Sequence, residues 1–134
     1  MSFNSSLKIE DLEYRVITFN YSTFREVDVF GRPTSIFYGI RFKLEIEHKA
    51  DCVILHQWAF KNYEVKSGSI LFMKRDNVHQ KDTEFRFKDA HISRVEFDFS
   101  NTGDNPLVER IEIVSGFVEI ESEGKIAEYI VTPV

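Results

Sequence analysis

The chain has a single cysteine, Cys52, among 134 residues, so no disulfide can form within it. A lone thiol is compatible with a reducing compartment. Long apolar runs are missing too: no stretch approaches the roughly 20 residues of a membrane-spanning helix, which argues against membrane insertion. The start, Met1-Ser2-Phe3-Asn4-Ser5-Ser6, lacks a basic patch followed by an apolar run, so no Sec-type signal peptide is expected. Basic excess is absent: the net charge is −5, which would repel phosphates and sets nucleic-acid binding aside. The six glycines are scattered at turns and strand ends, and form neither a Walker loop nor a dinucleotide fingerprint. No Gly-x-Ser-x-Gly elbow occurs, and Ser115-Gly116 merely ends a strand. No repeat, low-complexity tract or linker divides the sequence, so a single domain over residues 1–134 is expected.

Aromatic residues are abundant, with 13 Phe and 5 Tyr, and they favour strands. A chain this long can bury roughly two thirds of its unfolded surface, enough for a real core. Period-two alternation dominates. Ile17, Phe19 and Tyr21 share one face of a strand, with Thr18, Asn20 and Ser22 opposite. The clearest strand is predicted over 36–47, where Ile36, Tyr38, Ile40, Phe42, Leu44 and Ile46 alternate with a mostly polar set. Shorter versions follow at 84–88, at 94–99 and at 109–113, where Glu109, Ile111 and Ile113 share a face. A short apolar run at 70–73 reads as a strand buried on both sides. Residues 117–121 and 127–131 read as closing strands. One segment breaks the period: Ile54, Leu55, Trp58 and Ala59 fall at helical spacing, so a helix is predicted over 51–61, with the Asp51 carboxylate as its N-cap and Ser67-Gly68 as the following turn. The fold class is therefore mainly β with one helix.

Cys52 and His56, at i and i+4 on that helix, could face the same way. Two ligands alone make a poor zinc site, and no second Cys-His pair supplies the rest. They read as a buried thiol and a partly exposed imidazole, and neither metal nor cofactor is expected. The acidic residues alternate with basic ones, as on a solvated face or an interface rim, and no motif sets a carboxyl in an apolar pocket as a glycosidase pair would need. The remaining singular feature is a long connection after the first strand, residues 25–35. It carries Val27, Val29 and Phe30, which either fold back on the core or meet a partner. Lys74-Arg75-Asp76, closing the strand after the helix, reads as a polar turn or as a source of inter-subunit salt bridges.

The order of these pieces resembles the tube protein of the type VI secretion system, the haemolysin-coregulated protein (Hcp, TssD), in its Bacteroidetes form. The resemblance rests on the Gly31-Arg32-Pro33 loop, the alternating strand, the Trp58 helix, the segment 68–76, the segment 84–90, the loop 101–106 and the strand ending Ile113-Val114-Ser115-Gly116. Ile36, Phe37 and Tyr38, the Cys52–His56 pair and the acidic stretch 119–128 depart from that pattern. The resemblance implies a two-sheet β-barrel flanked by a helix and a non-enzymatic structural role. It also implies a homohexameric ring that stacks into a tube inside a contractile sheath. Assembly would take place in the bacterial cytoplasm, and the tube would be expelled with its spike protein, with room for effector proteins in the lumen. It further implies that Val29, Phe30, Gly31, Arg32 and Pro33 reach an adjacent subunit. Rival readings from the residues are a monomeric β-barrel holding a small apolar ligand, which needs an internal cavity, and a small hydrolase, which needs a Ser/His/Asp cluster. A phage-type tail tube protein stands close to the leading reading.

Overall fold

The computed structural model describes residues 4–23, 25, 27–34, 39–76, 80–101, 103 and 106–130. Among the described residues, eight strands and one helix follow in the order β1 (Ser5–Ile9), β2 (Leu12–Ser22), β3 (Ile40–Glu47), α1 (Cys52–Phe60), β4 (Lys66–Met73), β5 (Lys81–Phe99), β6 (Leu107–Ser115), β7 (Phe117–Ser122) and β8 (Lys125–Ile130). All pairings are antiparallel. The strand order is β4-β1-β2-β3-β6-β5-β7-β8, and a further β4–β5 ladder closes six strands into a barrel, leaving β7 and β8 outside. Mainly β, a two-sheet barrel with one flanking helix, is therefore the observed architecture.

Two strands turn the corners between the sheets. β2 pairs with β1 through residues 12–15 and with β3 through residues 16–22, and its register shifts between Val16 and Thr18. The extra residue flips the inward parity: Tyr14 and Val16 are buried before it, and after it Phe19 packs against the aromatic core while Tyr21, 42% exposed, touches the Phe85 ring from its rim. The odd-numbered face expected from sequence thus holds for the second half of β2 only, with Ile17 at the bulge. β5 is the second corner. Its first half pairs with β4 and β7, its second with β6, and Asp89 at the changeover has a positive φ of 51°. The two short strands expected at 84–88 and 94–99 are one 19-residue strand. Ser115 is buried where β6 ends against this bend. Its hydroxyl lies 2.7 Å from the Lys88 carbonyl and accepts the Phe117 N–H at 3.1 Å.

β3 shows the predicted alternation, with Ile40, Phe42, Leu44 and Ile46 all buried; positions 36–38 of the expected strand lie outside the described residues. The core is a stack of rings, Phe19, Phe42, Phe72, Phe85 and Phe87, with neighbouring centroids 5.0 to 6.1 Å apart. Ser67 and Gly68 are not a turn but part of β4. A Cβ at Gly68 would stand 2.3 Å from the Lys8 carbonyl oxygen, so the close approach of β1 requires glycine. In the 70–73 run only Ile70 is fully buried.

The helix buries Cys52, Leu55 and Trp58, and Trp58 donates its indole N–H to the Glu64 carbonyl at 3.0 Å. Asp51 precedes it as expected, but its carboxylate makes no cap hydrogen bond. Instead its main-chain carbonyl accepts the Ile54 N–H at 3.1 Å and the Tyr14 hydroxyl at 2.8 Å. Asp51 has helical dihedrals (φ −67°, ψ −11°), unlike the extended conformation from which a cap side chain reaches its amides. Among the described residues no helix is long and apolar enough to cross a membrane.

Candidate functional site

The connection between β2 and β3 leaves the barrel as a small hairpin. Its base is held by Thr23, whose hydroxyl donates to the Gly39 carbonyl at 2.7 Å. Val27 and Pro33 form an isolated antiparallel bridge, and Asp28 and Arg32 continue it through an N–H···O bond of 2.8 Å. The tip is a turn with Asp28 first and Gly31 fourth, closed by the Gly31 N–H on the Asp28 carbonyl at 3.0 Å. Gly31 has φ +81°, a left-handed conformation that favours glycine. The Asp28 carboxylate accepts the N–H groups of Phe30 (2.9 Å) and Arg32 (3.0 Å) and pairs with the Arg32 guanidinium at 2.8 Å. The Arg32 amide, more than any other partner, holds that carboxyl below its ordinary range. The guanidinium also lies 5.2 Å over the Phe30 ring.

This order is spent on presenting apolar surface. Val29 is 93% exposed and Phe30 78%. The alternative in which these residues fold back on the core does not occur. Gly31, Arg32 and Pro33 are exposed beside them. Arg32 is committed to Asp28 and braces the tip. Sequence reading missed Asp28 as the organiser, although Asp-x-x-Gly is the signature of such a turn. The other candidates, Lys74, Arg75 and Asp76, begin a different turn, between β4 and β5. Lys74 donates its N–H to the Gln80 carbonyl at 2.9 Å, and Arg75 and Asp76 are exposed.

A second group of side chains lies under the helix. Glu109 shares the inward face of β6 with Ile111 and Ile113 and is 2% exposed. Its Oε1 is 2.5 Å from His56 Nε2, and its Oε2 is 3.9 Å from His48 Nδ1. Cys52, fully buried, completes the group and points its thiol at the Glu47 carbonyl, 3.8 Å away. Cys52 as a buried thiol and His56 as a partly exposed imidazole agree with the sequence reading; Glu109 and His48 were not connected to them, because nothing local in the sequence does so. Burial pushes the Cys52 thiol up to about 12, and the Glu109 carboxylate adds to the effect. A catalytic thiol needs the opposite, an exposed and electropositive setting.

Two clefts of about 700 and 730 Å³ lie open on the barrel, and the second is lined by Val16, Phe19, Tyr21, Phe72 and Phe85, so it opens onto one side of the ring stack. The first is lined mainly by polar and charged residues, including Lys8, Glu13, Arg15 and Glu47.

A family profile described as haemolysin-coregulated protein Hcp (TssD) matches residues 1–127. Among solved structures, Hcp1 from Flavobacterium johnsoniae is similar at 29% identity, covering 94% of this chain and 99% of that one, with a TM-score of 0.80. A crystal structure of an Hcp protein aligns at 11% identity over 99% and 100% of the two chains, with a TM-score of 0.85. Hcp1 from E. coli EAEC 042 aligns at 11% identity over 97% and 100%, with a TM-score of 0.80. The last two speak for the fold alone. No curated protein matches the chain. With the profile spanning nearly its whole length, the chain belongs to the Hcp (TssD) family of type VI secretion tube proteins.

Proposed function

We propose that the chain is a structural, non-enzymatic subunit of the type VI secretion inner tube. Six copies form a ring, rings stack, and a contractile sheath expels the tube with its spike protein, with effector proteins accommodated in the lumen. The observation that carries the ring is the hairpin tip, a hydrogen-bonded turn with Val29 93% and Phe30 78% exposed. Covering two such side chains is worth roughly 1.5–3 kcal/mol each, repeated at every interface of a closed ring. A cyclic ring uses heterologous contacts, so the tip meets a different patch on its neighbour. Lys74, Arg75 and Asp76 are assigned a supporting role as inter-subunit ion pairs. The rival reading, a barrel carrying a small apolar ligand, needs a chamber where the described side chains place a packed ring stack.

Light scattering over a concentration series tests this. A mass near six times the chain's 15.7 kDa supports the ring, and a monomer at every concentration removes it. Phe30→Asp separates the interface from the fold: the variant should keep the wild-type circular dichroism and melting temperature yet run as a monomer, because a charge would be desolvated at the contact. A hexameric Phe30→Asp protein would show that the tip is no contact.

A further inference from the structure

The group beneath α1 contains more donor atoms than hydrogen bonds. Glu109 is 2% exposed, yet among the described residues its Oε2 has no hydrogen-bond partner, and neither does Nδ1 of His48. These two orphaned atoms face each other at 3.9 Å, too far for a hydrogen bond. Leaving a buried carboxylate oxygen and a buried imidazole nitrogen unsatisfied is costly. Sγ of Cys52 stands with them, and the three donors all lie within 4.8 Å of one another. They come from three places in the chain: the residue after β3, the first residue of α1 and the third residue of β6.

A zinc ion bonds to sulfur at about 2.3 Å and to nitrogen or oxygen at about 2.0–2.2 Å. Tetrahedral legs of that length set donors roughly 3.3–3.7 Å apart, so the facing pair at 3.9 Å is nearly in place. The mixture of thiolate, imidazole and carboxylate suits zinc and its spectroscopic substitute cobalt(II), and is wrong for calcium or magnesium, which take oxygen alone. His56 completes the arrangement from outside. Its Nε2 sits 2.5 Å from Oε1, the carboxylate oxygen that does not face His48, so it fixes the rotation of the carboxylate as an outer-shell partner does. The Phe97 ring stands edge-on to the other side of His48, centroids 5.5 Å apart.

We propose that His48, Cys52 and Glu109 form a zinc-type transition-metal site that fastens α1 to the barrel wall, with His56 orienting the carboxylate and solvent completing the coordination. The metal replaces the thiol proton, which leaves to solvent. The site belongs to the single chain and does not depend on ring assembly.

The test uses the full chain, stripped with a chelator and titrated with Co²⁺ alone. The site should take one equivalent per chain, with thiolate-to-cobalt charge-transfer absorption and visible bands of four-coordinate intensity. Zn²⁺ should bleach these bands and raise the melting temperature. Cys52→Ser should abolish the charge-transfer absorption. His56→Gln should keep that absorption while weakening affinity about 10- to 100-fold, the usual effect of an outer-shell partner. His48 is one-third exposed, so His48→Gln is the variant that best preserves the fold; it should weaken binding at least tenfold and lose the zinc-induced rise in melting temperature. Absence of charge-transfer absorption from the wild-type chain at one equivalent overturns the proposal. So does unchanged cobalt binding in a folded His48→Gln protein.

Discussion

Two charged side chains in this molecule sit among partners of opposite or titratable character, and they live in different solvents. Arg86 lies on the outer face of β5, about one-third exposed, and meets Glu84, Glu119 and Glu121. Lys81 shares two of these carboxylates, at 3.2 Å from Glu84 and 3.0 Å from Glu121. Glu109 lies on the inner face of β6 with two imidazoles and a thiol around it, and among the described residues one of its oxygens has no hydrogen-bond partner. Water and counterions can repair any defect around Arg86, so that network adds little and demands little. A defect around Glu109 is harder to repair, because a carboxylate only 2% exposed has to find most of its partners within the protein. The difference is one of dielectric more than of geometry, and it makes the crowded outer network less consequential than the sparse inner one.

The comparison can be calibrated and then broken by substitution. Trp58 sits on the same helix as Cys52 and His56 and is 1% exposed, so Trp58→Ala should cost about 3–5 kcal/mol through the cavity left behind. Equilibrium urea unfolding measures it, and a loss under ~1 kcal/mol would show that the indole does not anchor the helix. Glu109→Ala should come next, at about 2 kcal/mol in metal-free protein, because it leaves a cavity in the barrel wall and removes the partner of the partly exposed His56 imidazole. Arg86→Ala should cost no more than about 1 kcal/mol, and that small loss should vanish in high salt. Equal losses for Glu109→Ala and Arg86→Ala would break the comparison outright.

The smallest effect is an acid one. Hydrogen bonds from Lys81 first, then Arg86, hold the Glu121 carboxyl below its ordinary value of 4.5. A carboxyl lowered in the folded state contributes stability that is complete above 4.5 and is lost as pH falls through the lower folded value. Removing Arg86 lifts part of that lowering. Urea midpoints measured from neutral pH downward should therefore converge for the wild type and Arg86→Ala below the ordinary carboxylate range. A gap between the two that stays constant with pH would mean that Arg86 stabilises by packing alone.

How much of this was legible in sequence depended on how local each cause is. Alternation in β3 is a property of consecutive residues, and residues 40–47 could be read directly. The parity of β2 was read for one half, because the bulge at Ile17 is set by its partner β3 and leaves no mark in its own sequence. The unity of β5 was hidden by the reversal at Asp89, which looks like a gap between two strands. The apolar content of the hairpin was plain, whereas its exposure had to wait for the fold. Glu109 was placed correctly on a face with Ile111 and Ile113, but its neighbours His56 and Cys52 lie 53 and 57 positions away. No periodicity reports that kind of juxtaposition.

The corner strand β5 carries one last consequence, for shear. Sliding it by one residue would have to break three ladders together: the one with β4 at Phe87–Gly68, the one with β7 at Phe87–Val118 and the one with β6 at Val95–Ile111. The same slip would turn Phe85 and Phe87 outward and drive Arg86 into the ring stack. Force applied along this strand passes from one sheet to the other through covalent bonds, so the two sheets cannot glide past each other without tearing the barrel open.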